Sequence, residues 1–148
     1  MISEDLRNAL NAFLYRTGEA SSSIMVVYAS NQPESFDWAV NDRLDEVVLF
    51  DLPTVGERVR MLRLYVEQYI KAASTLGAKP ISVVDIDDDL LTRVAEQTEG
   101  FSGREISKLV IAWQAAAYGR AEPSLDPALA LEVLAESKAA KQLKLAWR

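Results

Sequence analysis

The chain has 148 residues, of which 49% are hydrophobic and 26% charged, a composition typical of a globular domain of ordinary size. It contains no cysteine and no histidine, which excludes disulfide bonds, thiolate nucleophiles, imidazole bases and almost every zinc site. With 22 acidic and 16 basic residues the net charge is −6, so a broad electropositive surface for nucleic acid is not expected.

The first residues are acidic, with Glu4 and Asp5 near the start, whereas targeting leaders are basic or poor in acids. No leader is therefore expected. The longest near-continuous apolar run, residues 24–29, is far shorter than the roughly 20 residues that cross a bilayer. The sequence predicts no membrane-spanning segment.

Residues 1–53 are predicted to hold one helix and two strands. Leucines recur at helical spacing behind the cap-like Ser3, and Gly18 is expected to end this helix. Residues 24–29 are continuously apolar, which is typical of a parallel strand covered on both faces. Residues 47–50 form a second run, after a segment long enough for a helical crossover. Because two strands alone are marginal in water, the other strands of this sheet are expected to be missing from these residues.

From residue 54 to residue 148 the pattern is helical throughout. Thr54 and Glu57 form one predicted capping box, and Ser102 and Glu105 form another. The fold class predicted is thus an α/β remnant of a parallel sheet in residues 1–53, followed by an all-α lobe in residues 54–148. The chain is expected to be mostly helical overall.

Two further helices are predicted in this lobe. One follows the acidic cluster at residues 85–89 and ends at Gly100, and the other begins at Asp126. The cluster lacks the spacing of a calcium-binding loop, so helix capping is favoured over a metal site. Trp38 and Trp113 are assigned to packing. The basic carboxyl end, which includes Lys138, Lys141, Lys144 and Arg148, is interpreted as a solvated face rather than a lipid or nucleic-acid contact.

No complete phosphate-binding loop is present, since neither Gly-x-x-x-x-Gly-Lys-Ser/Thr nor Gly-x-Gly-x-x-Gly occurs. Asn31 nevertheless lies just past the predicted strand at residues 24–29, at the edge where open α/β sheets bind ligands. From the residues alone, two interpretations stay open for Asn31. It either contacts a ligand or forms an Asx turn before Pro33.

Four segments occur in the order found in AAA ATPase modules. They are Ala29–Glu34, Asn41–Glu46, Phe50–Pro53 and Thr98–Ile106. On these segments the chain resembles the AAA ATPase family, most closely its mitochondrial inner-membrane members, over residues 1 to about 120. The resemblance implies the carboxyl-terminal half of a module: part of the AAA+ sheet in residues 1–53, then a helical lid subdomain in residues 54–148.

The resemblance also implies roles for two residues of the first part. Asn31 would be the first sensor, and Arg43 an arginine finger offered to the nucleotide of a neighbouring subunit in a homo-oligomeric ring. Many family members carry a second arginine where this chain has Glu46. For Arg43 the residues alone leave a surface ion pair open, with Asp42, Asp45 or Glu46.

Arg104 lies in the first turn of a predicted helix, where the helix dipole disfavours a cation, so an anion is expected nearby. The resemblance places Gly103 and Arg104 at the second-sensor position of the lid, where that anion would be nucleotide phosphate. Many family members have alanine there. Pairing with Glu96 or Glu99 is the alternative.

The resemblance implies that ATP and magnesium serve the whole module, with the phosphate loop and the magnesium ligands outside these 148 residues. The missing amino-terminal half would be a partner, and this chain by itself is expected to be inactive. The whole protein would work in the mitochondrial inner membrane or matrix, in mitochondrial and nucleoid organisation. Because no catalytic motif is complete, a non-enzymatic helical protein-interaction module is the alternative.

Overall fold

The computed structural model describes residues 3–18, 21–36, 38–72 and 79–147. The chain divides into two compact units, Met1–Phe50 and Asp51–Arg148. Among the described residues, no helix has both the length and the apolar character that a membrane crossing requires.

The amino-terminal unit begins with the predicted helix, α1, which spans Glu4–Thr17 and carries two acidic residues in its first turn. A short 3-10 helix at Pro33–Ser35 and the four-residue helix α2 at Trp38–Asn41 follow. Tyr28 packs edge to face against Phe13 and Phe36, with ring centroids 6.1 and 6.2 Å apart. These aromatic contacts join α1 to the segment that precedes α2.

The two predicted strands of this unit do not form. Residues 24–29 and 47–50 have no regular secondary structure, and apart from the half-buried Tyr28 their side chains are exposed, to 88% at Met25 and 90% at Phe50. The amide and carbonyl groups of a strand need a neighbouring backbone to form hydrogen bonds with. None of the described residues pairs with either run. Trp38 was expected in the core but is 80% exposed, whereas Val40 on the same short helix is buried.

The carboxyl-terminal unit contains the four predicted helices. They are α3 at Val55–Tyr65, which continues as a π-helix at Val66–Lys71, α4 at Asp88–Gln97, α5 at Gly103–Tyr118 and α6 at Pro127–Ala146. The helices begin where the sequence predicts. Both capping boxes are formed, and the side chains of Asp87 and Asp126 accept hydrogen bonds from the amides of Leu90 and Leu129.

The expectation of an all-α lobe is wrong in one respect. Strands β1 at Ser82–Val83 and β2 at Ser124–Leu125 pair in parallel. The amide of Val84 extends the pair by donating to the Leu125 carbonyl, at 2.9 Å. Strands of two residues are too short to show an alternating pattern, so the sequence gives no signal for them.

The core of this unit is built around Trp113, which is fully buried and donates its indole N–H to the carbonyl of Ala130, at 3.0 Å. Arg58 is also buried, with 4% of its surface exposed. Its Nε donates to the Ala95 carbonyl at 3.0 Å, and a terminal nitrogen donates to the Pro53 carbonyl at 2.6 Å. Arg58 therefore fastens the segment before α3 to the end of α4.

Candidate functional site

Asn31 lies in a bend of the amino-terminal unit and is exposed. The turn at this point is held by Ser30, whose hydroxyl accepts a hydrogen bond from the Gln32 amide at 3.0 Å. The Asn31 side chain makes no hydrogen bond to any other described residue. The proposed Asx turn is therefore not formed, and the amide of Asn31 is available to a ligand.

Arg43 follows α2 and is exposed. Its guanidinium donates to the carbonyl of Ala39 and forms no ion pair with Asp42, Asp45 or Glu46, all of which are described. The alternative of a surface ion pair is thus not formed, and the charge of Arg43 has no carboxylate partner in the described part of the chain.

Gly18, at the end of α1, leaves space for this guanidinium. A Cβ atom placed there would lie 3.0 Å from Nε of Arg43 and 3.1 Å from the carbonyl oxygen of Leu14. Gly18 was predicted only as the end of a helix. The structure shows in addition that a Cβ at this position would require the Arg43 side chain to shift slightly from its place beside the end of α1.

Gly103 and Arg104 lie in the first turn of α5, in the carboxyl-terminal unit. Gly103 packs against α3, where an added Cβ would come within 3.2 Å of the methyl carbon of Met61. Arg104 is exposed and pairs with neither Glu96 nor Glu99, both of which are described. The arginine thus presents its charge to solvent beside a helix amino end, where anions are stabilised.

Lys141 supports this same turn, although the sequence analysis placed it on a solvated basic face. It extends from α6, and its ammonium donates to the Gly100 carbonyl at 2.7 Å and to both carboxylate oxygens of Glu105 at 2.9 Å. It also lies 4.7 Å from the centre of the Phe101 ring. The expectation of a purely solvated basic face is wrong for Lys141, because four contacts anchor its ammonium.

The carboxylate of Glu105 is shared between Lys141 and the capping box. Partial burial would by itself raise the pKa of Glu105, but hydrogen bonds from the Ser102 amide, the Lys141 ammonium and the Ser102 hydroxyl outweigh it and lower the pKa. Glu105 is therefore held as a carboxylate, and its negative charge is balanced locally.

A cavity of about 300 Å³ lies between the π-helix and the start of α4. The cations that line it, Arg63 and Lys71, pair with Asp88 and Glu67. None of the predicted site residues lines this cavity. Within the described ranges, no group of three or more acidic side chains is placed to hold a metal ion.

The structure therefore places the predicted site residues on two units. Asn31 and Arg43 belong to the amino-terminal unit, and Gly103 and Arg104 to the carboxyl-terminal unit. Neither Arg43 nor Arg104 has a carboxylate partner among the described residues. Each guanidinium by itself has the geometry to bind an anion such as phosphate.

The sequence of the chain is similar to those of several known proteins. The chain is 50% identical over 147 residues to ATPase family AAA domain-containing protein 3-A of Xenopus laevis. It is 46% identical to protein 3A of Homo sapiens and 47% identical to the 3A homolog of Drosophila melanogaster, each over 147 residues. These alignments cover 99% of the chain.

Over nearly its whole length the chain is thus similar to proteins named ATPase family AAA domain-containing protein 3. This relationship confirms the resemblance drawn from the ordered segments in the sequence. The chain spans about a quarter of the length of the AAA domain-containing proteins that it matches. No protein-family model matches it.

Proposed function

We propose that this chain supplies the carboxyl-terminal half of an AAA ATPase module, with Asn31 as first sensor, Arg43 as arginine finger and residues 54–148 as the lid. The observation that carries the proposal is the homology, which extends over 99% of the chain to proteins named as AAA ATPases. The exposed side chains of Asn31 and Arg43 support it, because neither forms a hydrogen bond or ion pair with a carboxylate among the described residues that nucleotide would have to displace.

In this proposal the lid residue Arg104 and the finger Arg43 contact nucleotide phosphates from different subunits of a ring. The exposed guanidinium of each fits a phosphate, since a planar guanidinium can donate two parallel hydrogen bonds. Asn31 orients the attacking water or a phosphate oxygen. Magnesium, when bound, would neutralise charge on the phosphates. Its ligands and the phosphate loop would come from polypeptide outside these 148 residues.

The exposed apolar runs at residues 24–27 and 47–50 support the same proposal. An unpaired run this apolar is stable as a strand only when other strands take up its backbone groups and cover its faces. We propose that the remaining strands of the module do so, and that Asn31 is thereby fixed at the edge of a sheet.

The arginine finger is tested in a chimera, in which this chain replaces the matching 147 residues of the Xenopus laevis protein. The chimera should hydrolyse ATP. Arg43→Ala should lower turnover at least about a hundredfold while leaving the affinity for a non-hydrolysable ATP analogue unchanged, because a finger acts on the transition state. Arg93→Ala is the matched control, since Arg93 is exposed and has no ion-pair partner among the described residues.

Equal turnover of the Arg43→Ala and Arg93→Ala chimeras would refute the finger assignment.

A second test uses the 148-residue chain by itself, which should show no magnesium-dependent ATP turnover. Measurable turnover by the purified chain would contradict the proposal that the phosphate site lies outside it.

A further inference from the structure

Lys141 links α6 to the turn that carries Arg104. Only 21% of its side chain is exposed, and the ammonium is held by the Gly100 carbonyl, the Glu105 carboxylate and the face of the Phe101 ring. Glu105 directly follows Arg104 in the first turn of α5. The contacts of Lys141 therefore fix the loop before α5 and one side of its first turn.

The charge of Lys141 matters as much as its contacts. An unpaired Glu105 carboxylate would place a full negative charge in the same helical turn as the exposed Arg104 side chain. Such a charge stabilises a helix amino end but repels an anion that approaches the same place. With its ammonium 2.9 Å from both carboxylate oxygens, Lys141 neutralises Glu105 and leaves the charge of Arg104 uncompensated.

We propose that Lys141 is a positioning residue for nucleotide phosphate at Arg104, acting by neutralising Glu105 and by holding the loop at Gly100 and Phe101. The inference rests on the proposed function, since it takes Arg104 to contact nucleotide. It predicts that α6, although it carries no predicted site residue, sets the affinity of the lid for nucleotide.

Lys138 offers a matched control. It lies on the same helix and is exposed, and its side chain forms no ion pair or hydrogen bond within the described residues. Lys138→Met and Lys141→Met remove the same charge from the same helix and alter the net charge of the chain equally. Only Lys141→Met leaves Glu105 without its cation.

Affinity for a fluorescent, non-hydrolysable ATP analogue is measured in the chimera described above. Lys141→Met should weaken binding about tenfold and Lys138→Met should not change it, because only the first exposes phosphate to the Glu105 charge. Adding Glu105→Gln to Lys141→Met should recover about half of the lost binding free energy, to within about threefold of the unaltered chimera, because glutamine removes the charge and keeps the capping hydrogen bond while the Gly100 and Phe101 contacts stay lost. Lys141→Arg should bind as the unaltered chimera does.

Two results would overturn the inference: equal affinities of the Lys141→Met and Lys138→Met chimeras, or no recovery when Glu105→Gln is added. The Arg104→Ala chimera separates this failure from that of the proposed function. If Arg104→Ala binds the analogue normally, the proposed function of Arg104 is wrong and the inference falls with it. If Arg104→Ala weakens binding but Lys141→Met does not, only the inference is wrong.

Amide exchange in the 148-residue chain tests the positioning directly, without nucleotide. Lys141→Met should speed exchange of the amides of residues 101–105 several-fold relative to Lys138→Met, since the loop loses its anchor. Unchanged exchange in this segment would refute the part of the inference that concerns the loop.

Discussion

Arg58 is a buried cation whose charge is stabilised by two backbone carbonyls rather than by a carboxylate in the described part of the chain. The Ala95 carbonyl, its acceptor at 3.0 Å, belongs to the last turn of α4, where the helix dipole favours positive charge. Thr98 also caps this carbonyl, through its hydroxyl at 3.0 Å. The end of α4 thus supplies the stabilisation that an acidic side chain usually gives.

Replacing Arg58 by lysine should lower the free energy of unfolding by about 2 kcal/mol, because one ammonium cannot reach both carbonyls and a hydrogen bond of a buried charge is lost. Urea denaturation of the two proteins measures the difference. Arg60→Lys, at an exposed position on the same helix, should shift stability by less than about 0.5 kcal/mol. Equal unfolding midpoints for the two variants would contradict this account.

Acid should destabilise the carboxyl-terminal unit through Glu105 and Asp126. Hydrogen bonds from the Arg120 side chain and the Leu129 amide lower the pKa of Asp126. The pKa of Glu105 is also lowered, because its hydrogen bonds from Ser102 and Lys141 outweigh the effect of partial burial. A carboxyl whose pKa is lower in the folded state stabilises the fold above its unfolded pKa. That stability is lost as the pH falls from the unfolded value, about 4 for these residues, through the folded pKa.

Thermal unfolding followed by circular dichroism at several pH values between about 5 and 2 checks this prediction. Glu105→Gln and Asp126→Asn should each flatten the dependence of the midpoint on pH. Glu136→Gln should keep it, because Glu136 is exposed and makes no ion pair in the described residues. If the unfolding midpoint depends on pH as steeply in Glu105→Gln and Asp126→Asn as in the unaltered chain, these two carboxyls do not cause the acid sensitivity.

At the scale of the helices, stability depends on how each one begins. In α3 the Thr54 hydroxyl accepts from the Glu57 amide, and the Glu57 carboxylate accepts from the Thr54 amide at 2.8 Å. This reciprocal pair lies on the segment that leads into the carboxyl-terminal unit. Its loss leaves amides of the first turn without partners.

Thr54→Ala should therefore lower the free energy of unfolding by about 1 kcal/mol. Thr92→Ala is the control, since Thr92 lies inside α4 on an exposed surface and alanine favours helix there. Differential scanning calorimetry on both variants measures the effect. A lower melting temperature for Thr92→Ala than for Thr54→Ala would refute the capping argument.

The helices were predictable from the sequence because their signals are local. Ser102 and Glu105 are close in sequence, and the same is true of Asp126 and Leu129, so short windows contain the whole cap. The contacts of β1 with β2, and of Lys141 with Gly100, join residues far apart in the chain. No short window contains them, and only folding brings these residues together.

At the scale of the whole molecule, the two units differ in how they bury apolar surface. The carboxyl-terminal unit has a core around Trp113 and Leu62. In the amino-terminal unit the described buried apolar side chains are Leu14 and Val40, while the runs at residues 24–27 and 47–50 are exposed. Exposed apolar runs of this kind associate with other chains.

The 148-residue chain should therefore self-associate at micromolar concentration, whereas a chain of residues 51–148 should be folded and monomeric. Sedimentation velocity distinguishes the two. The double substitution Met25→Lys and Val27→Lys should reduce association of the long chain, and Leu64→Lys, on exposed α3, should not. Association that persists in the double variant would contradict the assignment to residues 24–29.

The candidate site was predictable only in part, for a physical reason. Asn31, Arg43 and Arg104 are recognised from the order of motifs, and the structure leaves their side chains without carboxylate partners. The strands that should present Asn31 could not form from these residues, because their backbone partners are absent from the described chain. Gly18 lies beside Arg43, and Lys141 contacts Gly100 and Glu105. These residues are far apart in the chain, so a sequence pattern does not reveal the contacts.

The parallel pair of β1 and β2 has a consequence for the order of folding. Its two strands flank α4 and α5 in the chain, so they cannot meet until those helices have collapsed onto each other. Each hydrogen bond between them closes a long loop, whose entropic cost must already have been offset by helix packing. We expect this strand pair to form late in folding and to stabilise the helices after they have packed together.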